Sequence, residues 1–259
     1  MLLLDIPAEI VSKILVYAVL ARGIKRALRL RLVCKQFSQD IQHAVFESRL
    51  LDYVNTEKVL CDRYIENDHG ASRFWHSYIV YRVQNENLKP APQPAQRRYR
   101  DIGLVAKRIW EETGADMEAT IETLCWPALQ QAMTPGIVPE MYYNTEQQPD
   151  LALLCAAAYL NLIPIAKRLL QVGHSPHKES NTFSSPMKLA AWAGNAQMLE
   201  IFQDHVPEMD GLGHIPIELV FDDGWRGKTG PASINGAVLR GDIAMVRLAV
   251  YPPSRAAPD

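Results

Sequence analysis

The chain has 259 residues, of which 48% are apolar and 22% charged, and a formal net charge of −2, the balance of an ordinary globular protein. No run approaches the roughly 18 apolar residues that a membrane helix needs, and the slight acidity gives no reason to expect a nucleic acid or a membrane surface as partner. Met1 to Leu4 is apolar but is followed by Asp5 and Glu9, which does not fit a secretory signal. No Asn-x-Ser/Thr acceptor occurs. The four cysteines, Cys34, Cys61, Cys125 and Cys155, are scattered without a C-x-x-C pair. They read as free thiols of a reducing compartment, the cytosol or nucleus.

The first predicted element is the run Leu3-Leu4-Asp5-Ile6-Pro7-Ala8-Glu9-Ile10-Val11-Ser12-Lys13-Ile14-Leu15. Pro7 suits the first turn of a helix, and Glu9 sits near its positive end. Ile10, Ile14 and Ala18 form one stripe with Val11 and Leu15 beside it. Arg22-Gly23 ends this helix, and a second run follows from Ala27 through Leu28-Arg29-Leu30-Arg31-Leu32-Val33-Cys34-Lys35-Gln36-Phe37. Together the two runs, from Leu3 to Phe37, resemble the two halves of an F-box, its Leu-Pro-x-Glu-Ile opening and its Leu-x-Leu-Val-Cys-Lys-x-Phe closing. F-box segments are small helical units that dock on the Skp-type adaptor of a cullin-RING ubiquitin ligase. The resemblance implies that Leu4, Ile6, Pro7, Ile10 and Ile14 contact the adaptor, joined by Leu32, Val33, Cys34 and Phe37. The other reading is a plain amphipathic hairpin that caps the rest of the chain. Arg22, Lys25, Arg26, Arg29, Arg31 and Lys35 cluster as in a nucleic-acid patch, but in a slightly acidic chain they are expected to be the solvated face of two short helices.

Residues 46–148 read as a mostly helical connector. Phe74-Trp75-His76-Ser77-Tyr78-Ile79-Val80-Tyr81 is expected in a packed helix, as core and not as a ligand cage. Lys89-Pro90-Ala91-Pro92-Gln93-Pro94 opens a Pro-rich, extended linker near residues 89–98. One or two further helices are expected over 99–133.

The last part repeats itself. Leu154-Cys155-Ala156-Ala157-Ala158-Tyr159-Leu160-Asn161 aligns without a gap on Met187-Lys188-Leu189-Ala190-Ala191-Trp192-Ala193-Gly194, so that Ala157 falls on Ala190 and Asn161 on Gly194. Ser185-Pro186 supplies a helix start, the alanines keep the first helix thin, and Asn161 or Gly194 stops it in a left-handed conformation. A second helix follows in each copy, with Ile165, Ala166, Leu169 and Leu170 in one and Met198, Leu199 and Phe202 in the other. Gly173 then closes the first copy. A weaker third copy reads Ala237-Val238-Leu239-Arg240-Gly241-Asp242-Ile243. Its Gly241 lies a full period plus an insertion beyond Gly194, the insertion falling within residues 203–233. Pro252-Pro253 ends its second helix.

Over roughly residues 149–255 this pattern resembles the ankyrin repeat family, whose period of about 33 residues is the step from Asn161 to Gly194. It departs from the family in lacking the Thr-Pro start in the first copy, and in having Cys155 and Lys188 where the family has His. The order of F-box-like start, helical middle and C-terminal repeats resembles a family abundant in filamentous fungi, of which this chain would be a short or truncated member. The expected fold is therefore all-α: an F-box-like hairpin over residues 1–45, a helical connector over 46–148, and about three ankyrin repeats over 149–259.

Two signals of chemistry are weak. Gly227-Lys228-Thr229 resembles the end of a phosphate-binding P-loop, but the position that must carry the earlier glycine is Asp222, and two carboxylates there would repel phosphate. His174 and His177 lack a Cys or carboxylate at ligand spacing. No catalytic residue, metal or cofactor is expected. The expected function is a protein-protein adaptor joining a client to a cullin-RING ligase; the alternatives are a scaffold with no ligase role and, remotely, a nucleotide-binding protein.

Overall fold

A computed structural model of the chain describes residues 6–53, 69–86, 94–132, 148–205 and 231–251. Among the described residues there are twelve α-helices and no strand, so the all-α expectation holds. No helix among them is long and apolar enough to cross a membrane. The chain forms two compact units, residues 1–85 and 86–259.

In the first unit, α1 (Ala8–Arg22) and α2 (Ile24–Arg29) meet at Gly23, whose φ of 73° ends α1 while its amide donates to the Val19 carbonyl at 2.8 Å. A 3-10 turn (Leu30–Leu32) leads to α3 (Lys35–Glu47), and a second such turn (Leu50–Tyr53) precedes α4 (His69–Gln84). Both α1 and the first 3-10 turn pack on α3. The core is the i, i+4, i+8 row Val11, Leu15 and Val19 of α1 against Ile41, Ala44 and Val45 of α3. Phe46 joins α3 to α4 through Phe74, Tyr78 and Tyr81, with ring centroids 5.2 to 5.6 Å away. These are tilted aromatic contacts at ordinary core spacing.

Beneath that cluster lies a buried ion pair. Arg82 is 1% exposed and donates to Asp52 of the second 3-10 turn, and the Tyr78 hydroxyl donates to the same carboxylate at 2.6 Å. A buried pair gains little over an apolar isostere, but losing one partner leaves a charge stranded out of water.

The second unit is a row of helical hairpins. Its helices are α5 (Pro94–Thr113), α6 (Met117–Ala132), α7 (Pro149–Tyr159), α8 (Ile163–Gln171), α9 (Pro186–Ala193), α10 (Ala196–His205), α11 (Pro231–Arg240) and α12 (Ile243–Val250). Residues 94–98, expected in the Pro-rich linker, instead form the first turn of α5, where a proline at the helix start loses no hydrogen bond; residues 89–93 lie outside the described residues. The bends of the four hairpins fall at Gly114, Asn161, Gly194 and Gly241, all with positive φ. The step from Gly114 to Asn161 equals in length that from Gly194 to Gly241, and both exceed the step from Asn161 to Gly194. Helix α5 packs on α7, α7 on α9, and α9 on α11.

Small residues set how closely these helices approach. Ala156, Ala157, Ala158, Ala190 and Ala191 are fully buried, and a Cβ on Gly236 of α11 would collide with the Lys188 carbonyl oxygen of α9. Side chains of one hairpin also cap the helix before it. Asn195 donates to the carbonyls of Ala158 and Tyr159 at 2.8 and 2.9 Å, and Arg240 donates to that of Ala193 at 2.9 Å. The segment between α8 and α9 turns on Ser180, whose hydroxyl accepts the Phe183 amide at 2.8 Å while Phe183 is fully buried. Ser185, expected to cap α9, does not: its hydroxyl is buried with no hydrogen-bond partner, and Pro186 starts the helix.

These contacts set the cost of losing them. Asp52→Ala lowers unfolding free energy by about 3–5 kcal/mol and Tyr78→Phe by about 1–3 kcal/mol, both read by urea denaturation; equal, small losses would mean that the ion pair carries no structural weight. Gly173→Ala and Gly194→Ala both incur the left-handed penalty of about 1–2 kcal/mol. Arg240 occupies the space beside Gly194, whereas Gly173 faces open space, so the Gly194 variant also disturbs the Arg240 cap and melts lower than the Gly173 variant.

Candidate protein-interaction site

The outward face of α1 is apolar. With Val11, Leu15 and Val19 directed into the core, Ile10, Ile14 and Tyr17 fall at i, i+4 and i+7 on the opposite side and are exposed, Tyr17 by 71%. Pro7, just before the helix, is exposed and Ile6 half-buried. A second exposed set lies on the bend between α2 and α3, where Leu32 is 87% and Val33 66% exposed. A single exposed leucine means nothing; here two exposed apolar sets lie on elements that both pack on α3, which makes them candidates for a docking site.

The predicted contact residues therefore divide. Ile10 and Ile14 share one helix face, Leu32, Val33 and Cys34 share one bend, and Phe37 is half-buried in the first turn of α3. Leu4 lies outside the described residues. Cys34 has a structural role of its own: it is the extended N-cap of α3, and its Sγ accepts the Phe37 amide at 3.5 Å. Tyr17 and Leu20, also exposed, are not among the contact residues expected from sequence, although the i+7 spacing of Tyr17 from Ile10 is a signal that could find it. Which apolar stripe of α1 turns inward is decided only by packing on α3.

Of the basic residues in this stretch of the chain, Arg22, Lys25, Arg26, Arg29 and Lys35 are exposed, while Arg31 is half-buried and its Nε donates to the Ser38 hydroxyl at 3.4 Å.

Among its described residues the second unit holds a polar seam. Arg108 of α5 donates to Asp150 of α7 at 2.7 Å and holds that carboxyl below the usual carboxylate range. Arg168 of α8 pairs with Glu112 of α5 at 2.5 Å, and His174 lies 3.8 Å from Asp150. Gln131 of α6 donates to Glu179 at 3.0 Å and accepts from Ser184. These contacts fasten the α5–α6 hairpin to the next one. The Gly-Lys-Thr segment and most of the expected insertion, residues 206–230, lie outside the described residues.

The cysteines give a direct check. Cys125 and Cys155 are buried, and burial pushes both thiols up to about 12, whereas Cys34 is exposed. Only a thiolate attacks a disulfide reagent, so at about pH 8 Cys34 is labelled in the native chain while Cys125 and Cys155 are labelled only after unfolding. Peptide mapping of the labelled chain reads this, and rapid native labelling of Cys155 would contradict the packed stack. Comparison of the chain with protein-family models, with curated proteins and with solved structures finds no match in any of the three.

Proposed function

We propose that the chain is a non-catalytic adaptor of the F-box type: the surface of α1 and the Leu32–Val33 bend binds the Skp-type adaptor of a cullin-RING ubiquitin ligase, and the helical hairpins, read as diverged ankyrin repeats, hold a client protein. The observation that carries this reading is the pair of exposed apolar sets on the first unit. A folded helix that keeps Ile10, Ile14 and Tyr17 in water beside its own core row gains nothing by it in isolation, and removing that area from water is what an adaptor would supply. Ile10, Ile14, Leu32 and Val33 are among the residues on which the F-box resemblance rests; Tyr17 is an addition to them.

Support for the repeat reading comes from the left-handed bends at Asn161 and Gly194, which stand at equivalent places in the gapless alignment and each join a thin Ala-rich helix to a second, outer helix. A stack of this kind offers a continuous surface whose exposed positions can vary without disturbing the core. Tyr159 and Trp192, equivalent in the two copies, are half-buried with ring centroids 5.5 Å apart, and such amphipathic rings are favoured at binding surfaces.

The test is binding of the full chain to a purified Skp-type adaptor by calorimetry. Ile10→Asp and Leu32→Asp change exposed positions, so both variants keep the parent circular dichroism. Each is expected to weaken binding by about 30-fold, the size of a buried hot-spot loss. No binding by the parent, or binding indifferent to both changes, overturns the F-box reading and leaves a scaffold without a ligase.

A further inference from the structure

The chain carries a net charge of −2, yet from Arg22 to Lys35 it holds six basic residues and no acidic one. Five of the six, Arg22, Lys25, Arg26, Arg29 and Lys35, are exposed. Among the described residues none of these five forms an ion pair. Elsewhere in the chain Arg82, Arg100, Arg108, Arg168 and Arg240 each meet a carboxylate. Helix ends account for only part of the placement. Arg22, Arg26 and Arg29 lie in last turns, where a cation is favoured, but Lys35 opens α3 at its positive end, and the first turn of α3 has no acidic residue to offset it. On α2, Lys25 and Arg29 are four residues apart and Arg26 and Arg29 three, so like charges are neighbours on the helix surface. Folding alone does not account for such a concentration.

The same stretch holds Leu32, at 87% the most exposed large apolar side chain among the described residues, and Val33 beside it. Arg29 and Lys35 stand three residues to either side of Leu32. Their Cα atoms are therefore at most about 11 Å from its own, close to the ~10 Å over which exposed charges still act on each other in ~0.1 M salt. A surface that buries the bend enters the field of these cations. We propose, resting on the adaptor reading above, that the surface which covers this bend is acidic: a protein that presents carboxylates to Lys25, Arg26, Arg29 and Lys35. Charge and apolar area then divide the task. Unpaired surface charge steers the encounter and raises the association rate, while the apolar contacts, once dry, set how long the complex lasts.

Two other polyanions fit the stretch less well. It contains no aromatic residue to stack on bases or to anchor in a lipid headgroup layer. A phosphate backbone offers hydrogen-bond acceptors and charge, but no apolar surface to cover Leu32 and Val33. A protein surface supplies both at once, an apolar centre within a charged, solvated rim.

Stopped-flow association of the full chain with a purified Skp-type adaptor, from about 50 to about 500 mM salt, tests this. The parent's association rate is expected to fall by about tenfold or more over that range, with little change in its dissociation rate. The triple variant Lys25→Glu, Arg26→Glu, Arg29→Glu changes exposed positions and keeps the parent circular dichroism. It is expected to associate at least about tenfold more slowly than the parent at low salt and to approach it at high salt. Leu32→Ala is expected to do the reverse, dissociating faster while its association stays as salt-sensitive as the parent's. No association by the parent overturns the adaptor reading and this proposal together. Association at a rate indifferent to salt and to the triple change leaves the adaptor reading standing and overturns the proposal alone. Tighter binding of a duplex DNA or of phosphatidylserine vesicles at about 150 mM salt, lost in the triple variant, assigns the stretch to a different polyanion and overturns it as well.

Discussion

The close approach of thin helices is the constraint on which the second unit depends. A hairpin of two helices, each about ten residues long, is too short to be stable by itself and cannot enclose a core; it must lay its apolar side on a neighbour. Here the approach is close enough that Gly236 has no room for a Cβ beside the Lys188 carbonyl, and the run Ala156-Ala157-Ala158 is wholly buried. A larger side chain at these places would separate the layers and forfeit the Asn195 and Arg240 caps. Those bonds reach the last carbonyls of α7 and α9 only because the next hairpin lies against them.

The first unit rests on a different arrangement, a cluster of rings over a buried ion pair. Phe46 and Tyr78 supply the area, and Asp52, Arg82 and the Tyr78 hydroxyl satisfy one another beneath it. This anchors the turn after α3 to α4. It leaves α1 held by only one row, Val11, Leu15 and Val19, and that is why its other apolar row remains available for a partner in the adaptor reading.

Much of the second unit is legible in the sequence because its signals are local. The left-handed bends are written as Asn161, Gly194 and Gly241, and helices α9 and α10 follow from the Ala pair and the Met198, Leu199, Phe202 spacing. The α5–α6 hairpin is harder to see as part of the row: its bend at Gly114 stands more than one period before Asn161, and nothing in its helices repeats the Ala-Ala signature. Nor does the sequence tell that Ser185 fails to cap α9, since a serine before Pro186 reads the same whether or not its hydroxyl finds a donor. For the candidate site the apolar stripes of α1 are legible in the sequence and their direction is not. Two apolar stripes run along α1, and the choice between them depends on contacts with Ile41, Ala44 and Val45 of α3, which lie beyond α2 and the bend in the chain.

An adaptor needs a docking surface that is exposed before its partner arrives and a second region that the partner leaves alone. Hydrogen exchange of the full chain, alone and with saturating Skp-type adaptor, tests this division most directly. The account predicts slowed exchange confined to α1 and the Leu30–Cys34 bend, with α7, α9 and α11 unchanged. Protection that falls on the hairpin stack, or no change anywhere, would contradict it.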